Sequence, residues 1–170
     1  MLHKRSYTIE FKVLPLVYRY ISEHYVCKNN AFDVFGSPLY YLISSGLSRS
    51  NIATPSRISA KYQSYVPIRI CITEWDFYHY GWEMTAVQQV RLSNIIKSQI
   101  IETICEKTMV LHCYTHIPRE AIIRELMSQN FFEEEELSLA SVKKHYQRHF
   151  LKKEEKLIEN VYYLKNLKDT

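Results

Sequence analysis

Two short stretches alternate between apolar and polar side chains, and this alternation limits the fold more than any other feature. Residues 6–13 read SYTIEFKV and residues 66–73 read VPIRICIT. The alternating apolar positions are Ile9, Phe11, Val13, Ile68, Ile70 and Ile72. Because successive side chains of a strand point to opposite faces, each stretch is predicted to be a half-buried strand. We expect the two strands to pair antiparallel in a small two-stranded sheet.

The rest of the chain favours helices, since apolar residues recur at intervals of three and four. Predicted helices cover residues 15–28, 38–45, more than twenty residues that begin near Thr85, 118–129, and a final segment from a cap at Ser138 or Ser141 to near the C-terminus. Asn30 is expected to cap a further helix, with Asp33 completing a capping box. The predicted class is mainly α (α+β): a helical bundle with a two-stranded antiparallel sheet and a C-terminal helix pair.

The order strand, helix, helix occurs twice, which suggests an internal repeat. When the first strand is laid on the second, the apolar positions coincide, and each strand leads into a tyrosine-containing helix followed by a capping signal. We therefore predict a repeat domain over residues 1–117, with a serine-rich linker at 46–65. Residues 118–170 form a basic C-terminal helical segment that we expect to pack on this domain.

This order resembles the ribbon-helix-helix family of DNA-binding proteins, in which two strands enter the major groove and the second helix holds a backbone phosphate at its N-terminus. The resemblance covers about residues 6–105. It implies outward, base-facing side chains on the two strands, namely Glu10, Lys12, Arg69, Cys71 and Thr73, and phosphate contacts near Asn30 and Thr85. The stretches IRICITEWDFYHYG and SVKKHYQRH are also similar to uncharacterised proteins of bacterial phage-like mobile elements.

A second candidate site lies in the stretch SLASVKKHYQRHFLKK. If this stretch is a helix, its apolar residues lie on one face and its polar and cationic residues lie on the others. Such a polar and cationic surface suits contact with phosphates and base edges. The residues concerned are Lys143, Lys144, Gln147, Arg148, Lys152 and Lys153. Alternatively, such a charge run is an ordinary solvated helix surface. The chain carries a formal net charge of +4.

Other motifs give weaker indications. His112 and His116 stand four residues apart with Cys113 between them, a spacing that fits either metal ligands or packing side chains near a helix end. Four cysteines without a CxxC pair suit reduced thiols better than a disulfide framework. We expect no enzymatic activity, no cofactor and no resident metal.

The sequence therefore predicts a cytoplasmic protein, because it shows neither a secretory h-region nor an apolar bilayer span. We expect it to bind double-stranded DNA and to act as a transcriptional regulator. The alternative is a non-enzymatic protein-interaction or assembly subunit of a mobile element. In either case the apolar seam over residues 150–167 suits a homodimer through the C-terminal helix.

Overall fold

The computed structural model describes residues 6–49, 64–129 and 136–166, and side chains up to residue 159. The chain divides into two compact units, Met1–Lys97 and Ser98–Thr170. No helix in the described ranges combines the length and the apolarity needed to cross a bilayer. The predicted domain division after residue 117 stays a prediction, and residues 50–63 of the predicted linker lie outside the described part.

The elements follow in chain order. They are β1 (Ser6–Val13), α1 (Pro15–His24), β2 (Val26–Lys28), β3 (Ala31–Asp33), α2 (Pro38–Ser45), β4 (Val66–Thr73), α3 (Glu74–His79), α4 (Ala86–Thr115), α5 (Arg119–Gln129), α6 (Leu139–His149) and α7 (Leu151–Asn166). The mixed α and β class and the long helix over α4 are confirmed. The helix predicted at residues 38–45 is also confirmed.

The sheet has four strands in the order β1-β4-β3-β2, so the prediction of a two-stranded sheet is wrong. β1 pairs antiparallel with β4 as expected, from Ser6 opposite Thr73 to Val13 opposite Val66. On the other side of β4 lies β3, which runs parallel to it and pairs antiparallel with β2. The central strand is therefore β4, and its three isoleucines, Ile68, Ile70 and Ile72, are buried.

The two additional strands come from a hairpin that the helical interpretation of residues 26–33 missed. Asn29 and Asn30 have φ values of 51° and 62°. Two consecutive positive φ angles are typical of the type I′ turn, and asparagine tolerates this region better than most residues. α1 therefore ends at His24 rather than at residue 28, and Asn30 lies in a hairpin turn instead of capping a helix.

Along the edge of β1 that faces away from β4, some backbone N–H groups donate hydrogen bonds to side chains of α4. The backbone N–H of Lys12 donates to Gln89 at 2.8 Å, and that of Leu14 donates to Ser93 at 3.3 Å. Because Lys12 directs its N–H away from β4, the residue opposite it, Pro67, also has its nitrogen facing away from β1. Pro67 can therefore stand inside β4 without removing a hydrogen bond to β1.

A buried carboxylate joins β4, α3 and α2. Thr73 caps α3 by accepting from the Asp76 N–H at 3.0 Å, and its hydroxyl donates to the Asp76 carboxylate. The Tyr40 hydroxyl on α2 donates to the same carboxylate. Burial and the hydrogen bond to Asp76 raise the pKa of Tyr40. Asp76 is thus satisfied by two hydroxyl donors, as a buried charged group requires.

The internal repeat is not shown by the structure. After β1 the described chain forms a helix, a hairpin and a second helix, whereas β4 leads directly into α3 and α4. The pairing of β1 with β4 does not require an internal repeat. Two strands with one apolar face each pair so that these faces lie together over the helices.

In the second unit, α5 buries the apolar stripe predicted for it, formed by Ile122, Ile123, Leu126 and Met127. The predicted single final helix is wrong, because the chain forms α6 and α7 with Phe150 between them. Phe150 keeps helical hydrogen bonds on both sides: its N–H donates to Tyr146 at 2.8 Å, and the Glu154 N–H donates to its carbonyl at 2.9 Å. Its φ of −115° nevertheless departs from helical geometry.

Changing Tyr40 to Phe tests the buried carboxylate. Tyr40→Phe should lower the free energy of unfolding by about 2 kcal/mol, because Asp76 loses a donor that it cannot replace with water. The matched control is Tyr41→Phe, since Tyr41 is 69% exposed and should change stability by less than about 0.5 kcal/mol. Urea unfolding followed by circular dichroism measures both. Equal losses in the two variants would contradict this role for Asp76.

Candidate nucleic-acid interface

The basic helix of the second unit is α6, and its packing decides which side chains face solvent. Ser138 caps the helix by accepting from the Ser141 N–H at 3.2 Å. Val142 and Tyr146 are buried on one side. A residue two positions away on a helix lies about 200° round the axis, so it points away from the buried side.

Four cations stand two residues from a buried side chain of α6 or α7. The buried side chains are Val142, Tyr146 and Glu154. The cations, which we call the basic stripe, are Lys144, Arg148, Lys152 and Lys156, and all four are exposed. Within the part of the chain that the structure describes, none of the four forms an ion pair. The stripe therefore presents unneutralised positive charge to solvent.

The other residues predicted on this helix are placed differently. Lys143 is half-buried and lies 2.5 Å from the Glu120 carboxylate, which also pairs with Arg124 at 2.8 Å. Lys143 and Arg124 lower the pKa of Glu120. The Lys153 ammonium lies 4.8 Å from the centre of the Phe150 ring, in cation–π geometry. Gln147 is exposed beside the stripe.

The outer face of the sheet carries the residues predicted from the strands. Arg69 Nε donates to Glu10 Oε2 at 2.7 Å, and both side chains are about half exposed at 53% and 54%. The two lie directly opposite each other on β4 and β1. Lys12 points to the same outer face and is exposed. A cross-strand ion pair of this kind is usual on the open face of an antiparallel pair and lowers the net charge there.

Two further strand residues have local roles. The Thr73 hydroxyl is engaged in the cap of α3 and bonded to Asp76. The Cys71 thiol is partly buried, and burial together with nearby Asp33 and Cys27 raises its pKa. A thiol with a raised pKa is mostly protonated at neutral pH and is therefore a weak nucleophile.

Groove entry by a β-ribbon depends on two strands that stand free of other elements. Four strands spaced about 4.8 Å apart are roughly 14 Å wide, whereas the major groove is about 12 Å wide. The sheet that the chain forms therefore does not provide that ribbon. Thr85, predicted to lie near a phosphate, starts α4 in a capping box in which its N–H donates to Gln88 Oε1 at 2.8 Å. Lys12, Arg69 and Thr73 as DNA contacts stay predictions.

The histidine and cysteine motif lies near a buried ion pair. Arg119 Nε donates to Glu154 Oε1 at 3.1 Å, and its Nη2 lies 2.8 Å from Oε2. His112 Nε2 is 3.8 Å from the same carboxylate, while its Nδ1 lies 2.6 Å from the Ile117 carbonyl and must carry the proton of that hydrogen bond. In the described ranges no three His, Cys, Asp or Glu side chains converge as metal ligands.

Glu154 determines how α7 is oriented about its own axis. Its side chain is completely buried, although the neighbouring Glu155 is exposed. Burial and the nearby Glu154 carboxylate raise the pKa of Tyr146. Burial and the nearby Glu154 also raise the pKa of Cys113. Because Glu154 faces inward, Lys152 and Lys156 face outward.

The sequence-based candidate list omitted Lys156, which completes the stripe. The signal for it is the four-residue spacing of 144, 148, 152 and 156. It was missed because Glu154 and Glu155 make this segment resemble a mixed solvated surface. The residues next to Glu154 in the sequence do not indicate that its side chain is buried.

Comparison with known proteins finds no matching family model, no matching curated protein and no matching solved structure.

Changing Glu154 to Gln tests the buried pair that orients α7. Glu154→Gln should lower the free energy of unfolding by about 2 kcal/mol, because it leaves the Arg119 guanidinium without its counter-charge. The loss is smaller than for a fully buried pair, since 41% of the Arg119 side chain is exposed. Glu155→Gln is the matched control and should stay within about 0.5 kcal/mol of the parent. Urea unfolding measures both; a neutral Glu154→Gln variant would remove this role.

Proposed function

We propose that the protein is a cytoplasmic, double-stranded DNA-binding protein that acts as a transcriptional regulator and contacts phosphates through the basic stripe. The observation that carries the proposal is that the four cations of the stripe have no ion-pair partner in the described ranges. On an ordinary solvated helix, cations pair with acids at a spacing of four residues. The stripe instead repeats the same charge at that spacing.

The length of the stripe suits a phosphate backbone. Residues 144–149 of α6 and 151–156 of α7 each rise about 8 Å along a helix, and Phe150 joins them with helical hydrogen bonds on both sides. One strand of duplex DNA carries a charge about every 3.4 Å along the axis. The stripe can therefore run beside about five phosphates. Each cation that neutralises a phosphate releases counterions, which makes binding favourable at low salt.

Gln147 supplies the proposed base contact. It lies between Lys144 and Arg148 along the helix and is exposed. A glutamine amide can both donate to and accept from an adenine edge in the major groove. Phosphate contacts from the stripe would position the helix, and Gln147 would discriminate between bases.

A second candidate function is a protein-interaction or assembly subunit, and a different observation favours it. Around α3 the chain exposes a cluster of large aromatic side chains, of which Trp75 is 60% and Tyr78 is 58% exposed. Exposed patches of this kind are typical of protein interfaces. The homodimer through the C-terminal helix belongs to this alternative and stays a prediction, as does the absence of enzymatic activity.

The salt dependence of duplex binding tests the proposal. The test variant combines Lys144→Gln, Arg148→Gln and Lys152→Gln. In this variant the logarithm of the association constant should depend less steeply on the logarithm of salt concentration than in the parent. The slope should fall by about 2.7, since each lost phosphate contact removes about 0.9. Fluorescence anisotropy with a random duplex measures the slope between about 50 and 200 mM salt. This range is wide enough to resolve the expected change in slope.

The control variant loses the same net charge elsewhere. It carries Lys28→Gln, Arg91→Gln and Lys107→Gln, three exposed positions outside the stripe. Its slope should stay close to that of the parent, because long-range attraction is screened at these salt concentrations. Equal flattening in both variants would show that net charge, not the stripe, drives binding. A parent protein that ignores duplex at low salt would favour the interaction subunit.

A further inference from the structure

Two histidines lie next to the basic stripe on α6. His145 and His149 are four residues apart, and their ring centres are 4.6 Å apart with a tilt of 41°. His149 is exposed and His145 is half-buried. Each follows a cation of the stripe by one residue, His145 after Lys144 and His149 after Arg148. The next residue on a helix lies about 100° round the axis, so both imidazoles flank the stripe on the same side.

The groups around the pair disfavour the charged form of His145 in the free protein. Burial lowers the pKa of His145, and the nearby His149 lowers it further, while Glu102 on α4 opposes these effects. On the α7 side, the Phe150 ring lies 6.1 Å from the His145 ring and carries the Lys153 ammonium on its face. Together with Lys144 and Arg148, Lys153 adds positive charge near the pair. Within residues 6–49, 64–129 and 136–159, Glu102 is the acidic group that acts on His145.

We propose that His145 and His149 are part of the phosphate-binding surface and that they take up protons when a polyanion binds, so that binding strengthens as the pH falls. This inference rests on the proposed function of the basic stripe. It assigns the histidine pair a role beyond packing. It also gives the DNA interaction a proton dependence that a surface of lysine and arginine alone would lack.

The sign of the effect follows from the charges. A phosphodiester next to an imidazole favours the protonated form, so the bound state holds more protons than the free state between the two pKa values. Affinity must therefore rise as the pH falls through that interval. Phosphodiesters, lysines and arginines keep their charge there, so they do not contribute. The pair becomes an additional pair of cations at low pH.

The experiment measures duplex binding as a function of pH. Fluorescence anisotropy with a random duplex at constant ionic strength, from about pH 5.5 to pH 8 around the ordinary histidine pKa, gives the dissociation constant. We expect the parent to bind about tenfold more tightly at the acidic end than at neutral pH. The salt slope should also steepen at low pH by up to about 1.8, the equivalent of two further phosphate contacts.

Three variants separate the contributions. His145→Gln with His149→Gln should remove the pH dependence of duplex binding. His149→Gln alone, at an exposed position, should remove part of it and serves if the double variant does not fold by circular dichroism. The control is His79→Gln, since His79 is exposed on α3 and stacks on Trp75 with ring centres 4.2 Å apart. The control should keep the full pH dependence.

The outcomes distinguish this inference from the proposed function. If the parent fails to bind duplex at any pH, both are overturned. If it binds with a salt slope that depends on the stripe but with an affinity independent of pH, the histidine inference alone is overturned. The same holds if the pH dependence survives unchanged in the double variant or, should that variant not fold, in His149→Gln.

Discussion

The burial of one side of a strand or helix decides which of its charges face solvent. In β1 and β4 the apolar side chains face inward, so Glu10 and Arg69 share the outer face and pair with each other. In α6 the buried Val142 and Tyr146 leave Lys144 and Arg148 on the opposite side. The same rule applies to α7, where the inward residue is a glutamate. In β1, β4 and α6 these orientations are set by hydrophobic burial, which is the dominant favourable term in folding.

The two candidate surfaces differ in how much of their charge is already neutralised. On the sheet, Arg69 is already paired with the Glu10 carboxylate, so a phosphate would have to displace Glu10 in order to bind Arg69. On α6 and α7, an internal partner is recorded for Lys143 but for none of the four cations of the stripe within the described ranges. A free cation gains from a phosphate without first losing a protein contact. This difference is why the proposal depends on the helices rather than on the strands.

The buried ion pair of Glu154 and Arg119 connects stability with this surface. A buried carboxylate is costly unless it is paired, and here one guanidinium supplies two contacts to it. The pair does not make the protein stable by itself. It defines a single orientation of α7, because any rotation of the helix that exposes Glu154 also breaks its contacts. The outward position of Lys152 and Lys156 is a consequence of that orientation.

The predictable part of the structure is the part with long periodic patterns. The alternation in β1 and β4 and the apolar spacing over α4 gave correct element types, because many residues repeat the same signal. The hairpin of β2 and β3 was missed because three-residue strands are too short to show alternation, and its Asn29–Asn30 turn also fits a helix cap. The break at Phe150 contains neither glycine nor proline, so no local signal marks it.

The candidate site was predictable in composition but not in geometry. The cationic cluster is visible in the sequence, whereas its division into paired and unpaired members depends on Glu120 and Glu154, which lie 23 residues before Lys143 and 35 residues after Arg119. The sequence alone does not reveal such contacts. The most direct test of the central claim is a titration of the isotope-labelled protein with a short random duplex, followed by amide proton–nitrogen spectra. The account predicts that the largest shift changes fall on residues 144–156; changes confined to β1, β4 or α3, or no changes at low salt, would contradict it.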